Sequence, residues 1–336
     1  MLGLRWVHET AGRWAAWTDL VDEILPLVED RAAGDPLPGH EAEWTLVTEW
    51  RIGPIEQRKD TGAALALLRK RTEVDRRRAG PTLTESPERL DEAGRRLVRT
   101  LAVSLQMLGG RQVVAGDPSC VRTLNEAIAL FGRLGLRRET AITMFNLGHA
   151  LKDAPGLRDL DAAETAYRKS LGLFTDHEIL DRAKCHNQLG HVFAERFRDG
   201  LTAPAIDPTA LVRFVETALQ EHQAALKLIP EDADADRAVV HNAVGVLLAA
   251  VGDVEPAADH YLAALRHEVT AGNLEGMART RSNLANLYRR VGRTADALDY
   301  ARAALADWQR FGERAAREVA ELQGLIALIA REGGGS

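Results

Sequence analysis

A chain of 336 residues, 46% hydrophobic and 27% charged, has the apolar material for a sizeable core and is neither disordered nor a membrane protein in bulk. Its net charge of -6 argues against a general nucleic-acid binder, and two cysteines, Cys120 and Cys185, are too few for a disulfide framework and are expected as buried free thiols. Alanine, leucine and arginine dominate, which favours helix, and arginine far outnumbers lysine, as in GC-rich bacterial genomes. Residues 1–10, MLGLRWVHET, are too short and polar for a signal peptide, and no apolar run approaches the roughly 20 residues of a membrane helix. These features point to a soluble cytoplasmic protein.

Residues 12–34, GRWAAWTDLVDEILPLVEDRAAG, carry a stripe of Trp14, Trp17, Leu20, Val21, Ile24, Leu27 and Val28. They read as the second helix of a pair with almost nothing before it to act as the first. Either the chain is cut from a longer protein with an effector or ATPase domain upstream, or this is a divergent capping helix. Residues 41–79 form one long helix or two. Their tail, Arg69 to Arg78 (RKRTEVDRRR), sets six basic residues against Glu73 and Asp75. Nucleic-acid contact is one reading of it; a solvated helix face is the better one, because aromatic interleaving is missing. AGPTLTESPERL then marks a break, so 1–87 is expected to be a divergent helical cap.

From residue 88 to 312 the chain repeats. A small residue in mid-helix recurs at Ala285, Gly245, Gly190, Gly148 and, in a weaker match, Ala102, with spacings of 40, 55, 42 and 46 reading backwards. Ala297 and Ala257 each follow 12 residues after the small residue, Ala163 follows 15 after Gly148, and Ala218 follows 28 after Gly190. The last gap contains an insertion, 196–214, with the proline- and glycine-rich stretch RDGLTAPAIDP expected as a loop. Removing the insertions leaves a period of about 40 residues. In each unit the small residue lets a second helix lie close, and Leu151, Phe193, Leu248 or Tyr288 comes one turn later on the same face. Gly252 and Gly292 end first helices, and Ala257, Tyr261 and Ala264, or Ala297, Ala301 and Ala304, seat the second. A helix pair of this kind is completed by stacking on its neighbours.

Residues 313–332 carry Leu322, Leu325, Ile326 and Ile329 on one face and are expected as a terminal cap, and GGGS at 333–336 reads as a linker. There is no GxxxxGK[ST], HExxH, CxxC or GxSxG, so no enzyme activity and no cofactor is expected. His149, His186, His191 and His241 lie in first helices, but His186 and His191 are five apart and point roughly 140° apart, so no metal site is expected.

SNLANLYRRVGRTADALDYARAAL (282–305) and HNAVGVLLAAVGDVEPAADHYLAAL (241–265) resemble the tetratricopeptide repeat family in the small residue, the large one three later, the glycine, and the alanines 12 and 19 after the small residue. The longer period is similar to the subtype of kinesin light chains and of sensor arrays in large bacterial signalling ATPases. The resemblance implies an all-α right-handed superhelical solenoid of antiparallel helix pairs.

Opposite the packing seam, steps of four, three and four select Ile142, Asn146, His149 and Asp153; then Lys184, Gln188, His191 and Glu195, beside Asn187; then Val239, Ala243, Val246 and Ala250, flanked by Asn242; then Arg279, Asn283, Asn286 and Arg290. The resemblance implies that these stripes line a concave groove for a protein or peptide partner, or for another domain of the same parent protein. Amides both donate and accept, so they suit the backbone of an extended peptide. The arginines and Lys184 suit acidic side chains, and Val239 with Val246 suits an apolar anchor. The family's lysine clamp for a C-terminal carboxylate is not reproduced. The function expected is that of a regulatory sensor array in a larger bacterial signalling or defence protein, with a free-standing scaffold and contact to nucleic acid through Arg69–Arg78 as alternatives.

Overall fold

The computed structural model describes residues 14–333 except 59, 155 and 206; the side chains of Trp14, Ala15 and Gln57 are also outside the described set. The expectations for residues 1–10, for Trp14 in the stripe and for most of the GGGS linker therefore lie outside the described residues.

Among the described residues fourteen α-helices follow one another: α1 Trp14–Ile24, α2 Glu41–Gln57, α3 Thr61–Leu83, α4 Glu92–Val114, α5 Cys120–Arg133, α6 Arg137–Asp153, α7 Leu160–Leu173, α8 Ile179–Thr202, α9 Pro208–Leu228, α10 Asp234–Val251, α11 Val254–Thr270, α12 Leu274–Arg290, α13 Thr294–Gln309 and α14 Ala316–Gly333. Residues 41–79 are thus two helices, and α3 runs on to Leu83 before the chain breaks. The chain divides into two compact units at Leu173/Phe174. In the first, α2/α3, α4/α5 and α6/α7 pair; in the second, α8/α9, α10/α11 and α12/α13 pair, and α14 packs on α13. The class is the all-α helical repeat expected from the spacing.

Close approach within the pairs has the cause read from the sequence. A Cβ on Gly148 would lie 2.6 Å from the Tyr167 ring, one on Gly190 2.6 Å from His222, and one on Gly245 2.7 Å from Tyr261. These distances are well inside van der Waals contact, so only hydrogen fits there. The second helices present a recurring seat at steps of four and three: Cys120, Leu124, Ala127; Ala163, Tyr167, Ser170; Ala218, His222, Ala225; Ala257, Tyr261, Ala264; Ala297, Ala301, Ala304. None of these is more than 3% exposed. Gly252 and Gly292 sit at φ 90° and 73°, where a side chain would be strained.

Three expectations are corrected. In the α4/α5 pair the close-approach residue is Gly109, not Ala102: a Cβ there would lie 2.6 Å from Leu124 Cδ2. Ala102 is buried two turns earlier on the same face, and measuring from Gly109 gives a spacing of 39 to Gly148. The 196–214 insertion is mostly helix. It lengthens α8 and α9, leaving 203–207 between them, and Leu211 packs against Gly200 while Phe197 buries beside Phe214 and Val215. Pro208 is accepted because it opens α9, where no backbone N–H is required, and Asp207 caps that end through Thr209 N and Ala210 N.

Arg69–Arg78, finally, is a solvated face only in part: Arg69, Glu73, Arg76 and Arg77 are exposed, but the face between them turns inward. Arg71 and Asp75 are 2% and 1% exposed. Asp75 accepts from Thr45 Oγ1 at 2.9 Å and Ser104 Oγ at 2.6 Å, with Arg71 and Arg78 beside it at 3.8 and 3.6 Å. Arg69 reaches Asp117, Arg76 is bidentate to Glu126, Lys70 meets Asp35, and Arg77 lies between Asp35 and Glu73. Because α3 lies between α2 and α4, its arginines are spent on tying helices together.

Candidate functional site

In the second unit the first helices α8, α10 and α12 are neighbours, so their outward stripes lie side by side. Three clefts follow. Between α8 and α10 a crevice of about 40 Å³ is lined by Leu180, Lys184, Asn187, Asp236 and Val239. Between α10 and α12 a cleft of about 420 Å³ is lined by Val246, Ala250, Asn283, Asn286 and Arg290, with Tyr261 and Leu287 below. Between α12 and α14 a larger one, about 670 Å³, joins Arg279, Asn283 and Asn286 to Trp308, Arg317, Glu318, Glu321, Leu325 and Leu328. Asn283 and Asn286 belong to both of the larger clefts.

The candidate residues take distinct parts. Lys184, Val246, Arg279, Asn286 and Arg290 are exposed. Arg279 bonds Glu275 at 2.7 Å, and Asn286 Nδ2 donates to Ser282 O at 3.0 Å. Asn283 is half-buried and donates through Nδ2 to Asn242 Oδ1 at 3.0 Å, which fixes the amide of one helix by the amide of the next. Gln188 is half-buried with its Oε1 enclosed and unpartnered. Asn187 departs from expectation. It is 6% exposed and its Oδ1 accepts from His222 Nδ1 at 3.0 Å, so it binds α8 to α9 rather than reading a ligand. His191 stands edge-on to the same His222 ring at 5.3 Å. Burial pushes the His222 imidazole down to about 3, with His191 and His260 adding to the effect, so the ring is neutral and Nδ1 carries its proton. Asn146 and His149 belong to the first unit, on α6. Asn146 is half-buried, and His149 is edge-on to Phe145 and Tyr167 with Asp153 at 3.7 Å.

Four further histidines, His186, His241, His260 and His267, also join helices. His186 meets Glu221 at 2.7 Å, His267 meets Asp234 at 2.6 Å, and His241 Nδ1 stands 3.1 Å from His260 Nδ1. Burial, then His260 and His267, lower His241 to about 4. Among the described residues no group of three or more His, Cys, Asp or Glu is arranged to hold a metal ion. No described helix is long and apolar enough to cross a membrane.

Two features escaped the sequence reading. The first unit holds a cleft of about 870 Å³ between α2 and α4, with Leu46, Leu97 and Val103 on its walls and Arg71 and Arg78 at its floor. In the second unit, α14 supplies a wall of the 670 Å³ cleft, although its apolar face reads only as a cap. A third was legible as a mismatch. Four residues after each seat comes Phe131, Phe174, Ile229 or Trp308, but after the α11 seat it is Glu268.

No protein-family model matches the chain, and no curated protein sequence matches it either. Solved structures do. Aspartyl phosphate phosphatase F from Bacillus subtilis superposes with a TM-score of 0.58 at 13% identity, over 84% of this chain and 78% of that one. BtubC (BKLC) from P. vanneervenii superposes at 0.50 with 18% identity, over 77% and 91%. A signal transduction ATPase with a tetratricopeptide repeat sensor from Pyrococcus horikoshii aligns at 0.44 with 16% identity, over 87% and 44%. The likeness is one of fold. The first two agree with the architecture built above, an all-α array of antiparallel helix pairs, whose repeat geometry resembles the tetratricopeptide type.

Proposed function

We propose that the second unit is a recognition module that binds an extended segment of a protein partner along α10, α12 and α14, without chemistry of its own. The observation that carries this reading is the coupled amide pair Asn242–Asn283 with exposed Asn286 between two clefts. Amides held in place by the protein meet a peptide backbone without paying to be ordered, and they satisfy its N–H and C=O whatever the sequence. Val246 on one side, and Leu325 and Leu328 on the other, offer apolar contact, while Arg290 offers a charge for an acidic side chain. The wider proposal is that this module is the regulatory or sensor part of a larger bacterial signalling or defence protein, working in the cytoplasm; the repeat length and arginine-rich composition support it.

The test is selection of 12-residue peptides displayed as a random library, followed by hydrogen exchange of the chain with a selected peptide. The expected result is slowed exchange in α10, α12 and α14. Slowed exchange confined to the first unit, or to α9 and α11, refutes the assignment.

A further inference from the structure

Glu268 stands four residues after its seat, where each of the other four seats is followed by an apolar residue, and it is 4% exposed. A buried acid in an apolar register is costly unless it is paired, and it is a frequent sign of function when retained. The first unit shows how this repeat satisfies such an acid. There Asp75 has two hydroxyls and two arginines around it. Ser104, one of those hydroxyls, stands five residues before Gly109; Thr280 stands five residues before Ala285 and faces Glu268 in the same way. Glu268 has far less. Its Oε1 accepts from Thr280 Oγ1 at 3.0 Å, and its Oε2 is buried without a hydrogen-bond partner.

Thr280 has a second neighbour. Its hydroxyl oxygen is 3.3 Å from Asn242 Oδ1, the atom that accepts from Asn283 Nδ2. Thr280 is 0% exposed, so the hydroxyl has no water to turn to. A hydroxyl carries one proton and therefore serves one of these acceptors at a time. We propose that Glu268 and Thr280 are positioning residues for the groove amides, in which the proton on Glu268 decides which acceptor the Thr280 hydroxyl serves and so whether Asn242 is held by two donors or by one.

The two states balance. With Glu268 ionised, Thr280 donates to Glu268 Oε1, and Asn242 Oδ1 keeps only the Asn283 N–H. When Glu268 takes a proton from solvent on Oε1, that new O–H donates to Thr280 Oγ1. The Thr280 hydroxyl, keeping its own proton, rotates to donate to Asn242 Oδ1. The neutral state fills both lone pairs of Asn242 and leaves no buried charge beside the orphaned Oε2. It is the pinned state of the Asn242–Asn283 pair.

The charged groups that act on Glu268 among the described residues are Arg279 and Arg281 on α12, and both favour the carboxylate. Arg279 is engaged by Glu275, and Arg281 by Asp307 of α13. On α10, the other helix packed against α11, Asp234 is held by His267, on whose ring His241 stacks. Burial outweighs the Thr280 bond and both arginines and pushes the Glu268 carboxyl up to about 7. The switch therefore falls within the physiological range. Its consequence for binding rests on the groove reading above; the relay itself does not. Pinned amides are preorganised, so peptide affinity should be higher below the transition than above it.

The experiment is a pH titration of the ligand-free full chain from 5.5 to 8.5, following the side-chain amide resonances of Asn242 and Asn283 by NMR. Both are expected to shift with a midpoint of about 7. Glu268→Gln, permanently neutral, should hold them fixed. Thr280→Val should leave them fixed although Glu268 still titrates, and Thr280→Ser, which keeps the hydroxyl, should restore the shift. Amide resonances that do not move in the parent, or that move equally in Thr280→Val, overturn the relay. Because no peptide is present, a failed relay and a failed groove give different results: resonances that titrate in a chain that binds no selected peptide leave the relay standing and remove the binding role.

Discussion

Gly109 and Gly110 are adjacent in the interior of α4, and the structure assigns them opposite effects on replacement by alanine. Both variants gain helix propensity, worth up to about 1 kcal/mol. At Gly110 an added Cβ meets nothing within 4 Å, so that gain is retained in full. At Gly109 the Cβ would lie 2.6 and 2.7 Å from Cδ2 and Cγ of Leu124, and 3.5 Å from its backbone nitrogen. Leu124 is 0% exposed beside Cys120, Leu147, Ala150 and Ala166, so it has no solvent to move into. Carbon atoms rest at about 3.5–4.0 Å, so α5 must shift by close to 1 Å or Leu124 must leave its rotamer, at about 1–3 kcal/mol. Gly109→Ala should therefore be destabilised by up to about 2 kcal/mol and Gly110→Ala stabilised by up to about 1 kcal/mol. Urea denaturation of the two variants beside the parent measures this directly. Equal stabilisation of both would show that α4 and α5 do not approach as described, and the seam argument would fail with them.

Other outcomes follow from the buried polar groups. Asp75→Ala should cost about 3–5 kcal/mol, because Arg71 stays buried with the partly exposed Glu49 left to balance its charge; the double change Arg71→Met/Asp75→Leu should recover most of that in the same denaturation assay. His222 is held neutral down to about pH 3, whereas the unfolded chain takes a proton near 6.5. Its stabilisation is present above 6.5 and falls by about 1.4 kcal/mol per pH unit below it. His222→Gln should flatten that acid limb. Glu268 acts in the opposite sense, since its raised carboxyl makes the folded state take up a proton first between about 7 and 4.5. Glu268→Gln should therefore steepen the loss of stability on acidification from pH 7 to 5, and an unchanged limb would contradict its burial.

Much of the fold is legible because repeat packing leaves a periodic trace. Gly148, Gly190 and Gly245 are small for one reason, the ring on the facing helix, and that reason recurs after 42 and then 55 residues. The ruler slips to Ala102 where α4 is longer, since Ala102 and Gly109 are both buried on one face. The α8–α9 extension is hidden because proline and glycine read as loop, yet Pro208 begins a helix and Gly200 lies inside one against Leu211. In the site, steps of four, three and four recover the exposed stripe of α12. They cannot tell Asn187, which folds inward onto His222, from its outward neighbours, because the difference is a rotation of one residue about the helix. The arginines of α3 mislead for a related reason: composition does not reveal that acids on α2, α5 and the preceding loop come to meet them. Glu268 needs no structure to be noticed, only comparison of the five seats, but its coupling to Asn242 passes through Thr280 on another helix and has no trace along the chain.

The most direct test of the recognition role is the affinity of a library-selected peptide for the parent chain and for Asn283→Ala/Asn286→Ala, measured by calorimetry at pH 6.5 with folding of both verified by circular dichroism. Two amides that each hold a peptide backbone at about 0.5–1.5 kcal/mol predict a loss of roughly five- to 150-fold in the variant. Equal affinity for parent and folded variant would contradict the account and place recognition outside the α10–α12–α14 clefts.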